Sequence, residues 1–245
     1  MTPTQPSKGP GRRYSTFVGI AFLVLIVVAT LNTIRTQSGG TLGVNEDERG
    51  IPLSEFAVPN ALTGPLDRDA NIAQDDCSTS ENPCPADAKR PSACQIPFPP
   101  KKAIRVCDLF NRPLVLSFWF TRGADCLPTQ DILDRLSRGY RGRVNFLSID
   151  VRDDPSDVQS IARQHGWKMP VGYDRDGAVS DLYRVGGCPT VAFAYPGGVL
   201  AFAKAGIDDL SEPGIEDATR SLQVGLERDV QALLRQSRAR AMEDR

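Results

Sequence analysis

Histidine is nearly missing from this chain: His165 is the single one in 245 residues. A Ser-His-Asp triad, a Cys-His pair or a multi-histidine metal centre would each have to be built on that residue. It stands in the run "IARQHGW", where a helix is expected to end at Gly166, so it reads as a cation at a helix C-terminus. An excess of either charge is missing as well. Lys and Arg number 29 against 30 Asp and Glu, for a formal net charge of −1. That balance offers no basic face for a nucleic acid, and Arg235, Arg238 and Arg240 read as a solvated helix end. No two cysteines stand in C-x2-C spacing, which removes the usual zinc signature.

What is present begins with an apolar run. Residues 16–34 (TFVGIAFLVLIVVATLNTI) carry no charge, and about 20 such residues suffice to cross a bilayer as a helix. Lys8, Arg12 and Arg13 precede the run, whereas Arg35 alone follows closely. The positive-inside bias then keeps residues 1–15 in the cytoplasm as a tail and sends the rest across. "VVATLNT" matches a small-residue cleavage site poorly, so the run reads as an uncleaved anchor. The expected location is the cytoplasmic membrane, single-pass, with the C-terminal domain extracytoplasmic. Residues 35–50, with Gly39, Gly40, Gly43 and the run "NEDER", read as a flexible linker.

In that compartment an even number of cysteines points to disulfides, and the chain has six. Residues 51–236 are expected to form one domain and residues 237–245 a polar tail. Within the domain, a stretch from about 70 to 107 is rich in Pro, Ser, Asp and Cys and has neither helical nor strand periodicity. Such a segment cannot bury a core of its own and relies on cross-links. Cys77, Cys84, Cys94 and Cys107 are expected to form two structural disulfides there; the three pairings open to four cysteines are not distinguished by sequence. Zinc is the weaker alternative, given the spacing and the compartment, so no metal is assigned. No other cofactor is called for.

After the insert the pattern becomes regular. Leu114 to Phe120 continue an apolar run typical of a strand buried on both faces. Cys126 to Tyr140 reads as a helix with Asp125 as N-cap and Leu133, Leu136 and Tyr140 on one stripe. A second buried strand is expected over 144–151 and a helix over 155–165, with Pro155 at its first turn. Residues 190–195 and 199–204, joined by Pro196-Gly197-Gly198, predict a hairpin. Leu222, Leu226, Val230 and Leu233 mark a final amphipathic helix. This order predicts an α/β domain with a mixed central sheet and helices on both faces.

Two places carry chemistry. In "SFWFTRGADCLP" a strand ending at Trp119 runs through a short loop to Cys126 at a helix start, where the dipole and free N–H groups stabilise a thiolate. Arg122 would act in the same direction. In "VGGCPT" Cys188 directly precedes Pro189, and an X-Pro bond can be cis in a purposeful turn.

The stretch from Leu114 to Gly206 resembles the TlpA/ResA branch of membrane-anchored thiol-disulfide oxidoreductases in the thioredoxin superfamily. That family reads F-W-A-x-W-C-x-x-C after its central strand, against Phe118-Trp119-Phe120-Thr121-Arg122-Gly123-Ala124-Asp125-Cys126 here. Trp167 to Leu200 follows the family's P-V-x-x-D … Y-x-V-x-G-x-P-T pattern. The resemblance implies a thioredoxin-like fold after one N-terminal transmembrane helix, and protein thiols or disulfides as clients. An electron donor in the membrane is the partner a reductase would require. The match also shows a departure: the family's first cysteine falls on Gly123 and its Trp on Arg122. Dithiol exchange within C-x-x-C is therefore excluded. In thioredoxin folds the residue before the cis-Pro lies against the active-site cysteines, so the resemblance implies Cys126 and Cys188 as the redox pair. Trp119, Arg122, Gly123 and Pro189 would form the active-site loops.

Other readings remain beside it. Cys126 could be a packed small hydrophobe in a degenerate thioredoxin fold that binds peptides without catalysis. A peroxiredoxin-like use of Cys126 fits poorly, because P-x-x-x-T-x-x-C would need Pro at Trp119 and Thr at Gly123. A likeness to the SCO copper chaperones lacks both the first cysteine and a well-placed histidine. The anchor reading has its own test: the full chain should stay with the membrane through an alkaline carbonate wash, and a chain starting at residue 35 should wash off. Release of the full chain by the wash would end that reading.

Overall fold

The computed structural model describes residues 19–20, 22–27, 50–63, 72–73, 93–95, 101–122, 126–205 and 215–243. The chain divides into two units, Met1–Gly40 and Thr41–Arg245. In the first, residues 19, 20 and 22–27 are helical and Phe22, Leu23 and Leu25 are exposed. Among the described residues no helix is long and apolar enough to cross a membrane. The rest of the expected 16–34 span, and residues 35–49 of the expected 35–50 linker, lie outside the described residues.

The second unit is built on a five-stranded sheet in the order β6-β5-β4-β7-β8. Its strands are β4 (Leu114–Trp119), β5 (Asn145–Val151), β6 (Val171–Asp174), β7 (Thr190–Tyr195) and β8 (Val199–Ala205). β4, β5 and β6 run parallel, and β7 and β8 are antiparallel additions to the other side of β4. The sheet is therefore mixed, as the element order predicts.

Strand β4 has no exposed residue. Val115 and Trp119 join one core cluster, while Leu114, Leu116 and Phe118 join the other. Side chains alternate across a strand, so a run apolar at every position needs a cover on both faces. On the first face lie helices α1 (Leu127–Gly139), α2 (Pro155–Gln164) and α4 (Ile215–Glu243), whose Ile132, Leu133, Val158, Leu226, Val230 and Leu233 fill that cluster. The second face is covered by the short helix α3 (Ala178–Leu182) and by strand β1 (Phe56–Pro59), through Val179, Phe56 and Val58. Phe56 and Phe118 both pack their rings on Tyr183, at 5.6 and 5.2 Å.

β1 also forms a small antiparallel sheet with β2 (Ile72–Ala73) and β3 (Ala103–Arg105). These short strands lie at the two margins of the segment expected to have no strand period. The chain around β1 ties the main sheet's two edges together. Leu53 N–H donates to Gly198 O (2.7 Å) beside β8, and Ala61 N–H donates to Val171 O (2.8 Å) in β6. Both edge strands thereby gain partners along part of their length, which limits edge-to-edge association.

Several boundaries differ from expectation. α1 starts at Leu127, with Cys126 as its N-cap, and Asp125 lies outside the described residues. Pro128 in the first turn needs no N–H there, which fits a helix start at this point. β6 and α3 were not anticipated: β6 has four residues and includes Gly172, and α3 has five. Helix α4 runs to Glu243, through most of the segment expected as a polar tail. Arg240 lies over the Tyr195 ring at 4.7 Å, and Lys204 pairs with Asp229 at 2.6 Å, so both β7 and β8 hold it.

Gly172 marks where β1 comes closest to the sheet. A Cβ built there would collide with Val58 Cγ2 and lie 3.0 Å from Ile149 Cδ1. Gly172→Val should destabilise the domain by about 1–3 kcal/mol through overpacking. Urea unfolding of the two proteins checks this, and an unchanged midpoint would contradict the close packing of β1 on β6.

Candidate active site

The register of the sheet assembles the site. In the antiparallel β4–β7 pair Phe118 faces Thr190, so the residues just beyond each end, Phe120 and Cys188, come together. Cys188 Sγ lies 3.9 Å from Phe120 O. β4 ends at Trp119, and Cys126, seven residues further on, is the N-cap of α1. The two cysteines, 62 residues apart in sequence, have Cα atoms 5.9 Å apart, and their sulfurs are bonded. That separation lies in the middle of the disulfide range. The Cys188–Pro189 peptide is cis.

The two sulfurs have different surroundings. Cys126 is 1% exposed and belongs to the core cluster of Trp119, Ile132 and Trp167. Cys188 is part-buried and packs on the margin of that cluster. The remaining expected site residues are spread around the pair. Trp119 is fully buried and meets Trp167 edge to face at 5.3 Å, so it backs the site as core. Arg122 is exposed and its Nε lies 3.6 Å from Asp153 Oδ1. Pro189 is buried behind Cys188. Gly123 lies outside the described residues.

Sequence reasoning overlooked two groups of polar residues that hold these parts in place. The first ties α1 to the sheet. Gln130 Nε2 donates to Ser117 Oγ on β4 (2.8 Å), and Ser148 Oγ on β5 donates to Gln130 Oε1 (2.9 Å). Asp134, also on α1, accepts from Lys168 N–H (2.6 Å) and Met169 N–H (3.0 Å) and pairs with Arg138. Asp131 accepts from Trp167 Nε1 (2.7 Å) and contacts His165 Nδ1 at 2.9 Å. His165 is thus the C-cap of α2 paired to a carboxylate of α1, at the helix end where the sequence expects a cation.

The second group is acidic. Asp153 Oδ2 accepts from Thr121 N–H at 2.7 Å, pinning the loop ahead of Cys126, and Asp153 N–H donates to Asp150 Oδ1 at 3.2 Å. Asp150, one residue before the end of β5, lies opposite Trp119 in β4 and is fully buried. Burial first, and then the neighbouring Asp153 carboxylate, pushes the Asp150 carboxyl up to about 9. Asp174 is raised too, mainly by burial, against the N–H bonds it accepts from Ser180 and Val179. A "D-x-x-D" run just after a buried strand was the available signal in sequence, since it puts like charges at a strand end. Among the described residues the buried side-chain polar atoms without a hydrogen-bond partner are Trp119 Nε1, Thr129 Oγ1 and Asp150 Oδ2. All three lie at the β4–α1 junction or directly opposite it.

Of the four cysteines expected to be structural, Cys94 and Cys107 are bonded to each other, with Cα atoms 6.0 Å apart. Cys77 and Cys84 lie outside the described residues. Glu55 lies with Cys94 and Cys107, their ligand atoms within 4.8 Å of one another. The carboxylate accepts from Cys94 N–H at 3.3 Å, and the two sulfurs bond each other, so this trio is a cross-link and not a set of ligands.

A mixed sheet flanked by helices, with a cysteine at the helix start after the central strand and a cis-Pro facing it, defines a thioredoxin-fold protein. In sequence the chain is similar to a thiol-disulfide oxidoreductase of the ResA kind. Thiol-disulfide oxidoreductase ResA of Oceanobacillus iheyensis is 25% identical to it over 101 residues, which make up 41% of this chain and 53% of that protein. The chain thus spans about half the length of the curated relative it matches. No protein-family model matches. Two crystal structures share the fold at 14% identity. A protein assigned as thiol:disulfide interchange protein DsbE from Chlorobium tepidum superposes with a TM-score of 0.51, over 76% of this chain and 97% of that one. A hypothetical protein from Sinorhizobium meliloti gives 0.53, over 78% and 86%.

The acidic pair makes the domain pH-sensitive. Because Asp150 holds its proton more tightly when folded than when unfolded, the folded state binds more protons between about pH 4 and 9. Stability from this group is therefore full below about pH 4 and is lost as pH rises toward 9. Asp150→Asn should leave the melting temperature at pH 4.5 little changed and raise it at pH 8 by at least about 3 °C, the response to roughly 1 kcal/mol in a domain of this size. Equal shifts at both pH values would show that Asp150 ionises normally.

Proposed function

We propose that the chain is an extracytoplasmic thiol-disulfide oxidoreductase that exchanges electrons with protein thiols or disulfides through Cys126 and Cys188. The observation that carries this reading is the bond between a helix N-cap cysteine and the residue before the cis-Pro. A bond there replaces the intrahelical C-x-x-C, which this sequence does not have. The helix N-terminus stabilises Cys126 as a thiolate, and a stabilised thiolate makes its disulfide easier to reduce. Arg122 adds a positive charge to the loop that leads to Cys126. The similarity to ResA supports the same class of chemistry, and a client whose thiols or disulfides lie in an extended segment suits the cis-Pro loop. Cys77 and Cys84 would form the second structural cross-link of the insert, beside Cys94–Cys107.

The residue 16–34 run supports a single-pass anchor in the cytoplasmic membrane, with the domain outside and an electron donor in the membrane if the protein works as a reductase. A peroxiredoxin-like role has less support, because Cys126 is buried and its sulfur is engaged by Cys188.

The test is to equilibrate the protein in thiol buffers of graded potential, trap free thiols with an alkylating agent, and map the pairs by peptide mass spectrometry. Cys126–Cys188 should open at a potential above about −300 mV, the level below which structural disulfides usually lie, with Cys94–Cys107 still closed. Cys126→Ser and Cys188→Ser should each reduce multiple-turnover reduction of a disulfide client to background. If the pair stays closed across the range, or both variants retain turnover, the oxidoreductase reading fails and a peptide-binding module takes its place.

A further inference from the structure

The burial of the two sulfurs assigns an order to the chemistry, resting on the redox reading above. We infer that Cys188, on the cis-Pro loop, is the sulfur that exchanges with the client, and that Cys126 is the buried resolving partner. Roles of this kind are set by access and by where the leaving electrons are best held.

Access favours Cys188. Thiol–disulfide exchange needs the incoming thiolate roughly in line with the bond it breaks, behind the sulfur it attacks. Cys188 is part-exposed and packs only against the margin of the core cluster, so an incoming thiolate can reach it from solvent. Cys126 is 1% exposed and lies within that cluster with Trp119 and Ile132, both 0% exposed, which shields it from such a thiolate. The loop ahead of Cys188 is also open. A Cβ built on Gly186 or Gly187 meets no atom within 4 Å, so a client backbone can lie along it.

Leaving-group stability points the same way. Cys126 is the N-cap of a 13-residue helix, whose positive end stabilises a thiolate. Cys188 Sγ instead lies near a carbonyl oxygen, that of Phe120, at 3.9 Å. A thiolate there would be repelled, whereas a thiol could donate to it.

The step then balances as follows. A client thiolate attacks Cys188 Sγ, a client–Cys188 disulfide forms, the Cys126–Cys188 bond breaks, and its electron pair leaves on Cys126 Sγ as thiolate. A second client thiolate attacks the client's own sulfur in that mixed disulfide and displaces Cys188. The client has then lost two electrons and the protein has gained them as a dithiol. The reverse sequence reduces a client disulfide, with Cys126 attacking the Cys188 mixed disulfide last.

The test uses the full chain in detergent and glutathione as the probe. Oxidised protein is mixed with reduced glutathione, quenched with acid, and digested so that mass spectrometry locates the adduct. Glutathione should be found on Cys188 at least about tenfold more often than on Cys126. As a second readout, Cys126→Ser protein should react with oxidised glutathione at least about tenfold faster than Cys188→Ser protein, with the two rates converging in denaturant. An adduct mainly on Cys126, or equal native rates, overturns the order while leaving the redox pair intact. A disulfide that forms no adduct and stays closed overturns both the order and the oxidoreductase reading.

Discussion

Everything at the candidate site depends on β4 being buried on both faces. Five of its six residues alternate between two apolar clusters and the sixth, Ser117, is buried as well, so the strand can only be the centre of the sheet. A central strand has neighbours on both sides, here β5 in parallel and β7 antiparallel. The parallel side delivers Asp150 and Asp153 to the strand's C-terminal end, and the antiparallel side delivers Cys188 to the same end. The next helix in the chain, α1, has Cys126 at its cap. Three separate segments thus meet at one point because one strand cannot show either face to water.

The junction so formed buries polar atoms. Among the described residues Trp119 Nε1, Thr129 Oγ1 and Asp150 Oδ2 find no hydrogen-bond partner there, and an atom left so costs about 1–3 kcal/mol. Asp150 answers by keeping its proton, since an ionised carboxylate at that depth beside Asp153 would cost more. Elsewhere the domain satisfies its buried polar groups carefully, as in the Ser117–Gln130–Ser148 chain and the amides gathered by Asp134. The contrast places the unsatisfied groups where the chemistry is proposed to occur, and the rigid tethers around it.

The legibility of the fold followed the length and periodicity of each element. β4, β5, α1, α2 and the 190–205 hairpin were all apparent, because each buries a continuous or periodic apolar set. β6 and α3 were not. Four residues with a glycine in the middle have no alternation to read, and a five-residue helix is too short to form without tertiary contacts. α4 continued past its apolar stripe because Arg240 finds the Tyr195 ring and Gln236 the Tyr195 hydroxyl, partners that only the folded sheet provides. The site was legible in its cysteines and proline, whose types and neighbours announce thiol chemistry. It was opaque in Asp153, Gln130 and Asp134, ordinary polar residues whose importance comes from what they touch.

By itself the sequence determined the order of the long elements, the double burial of β4, the placement of Cys126 at a helix start, and the absence of a C-x2-C pair there. Those properties are local: they follow from side-chain type and spacing along a few neighbouring residues. Only the tertiary structure decided that Cys126 meets Cys188, which of the cysteines in the insert pairs with Cys107, and which residue of the Cys126–Cys188 bond is the more exposed. A register between strands far apart in sequence sets the first, since Phe118 opposite Thr190 carries residue 188 to residue 120. The others depend on how whole elements pack around each sulfur, and such packing cannot be read from any short stretch of chain.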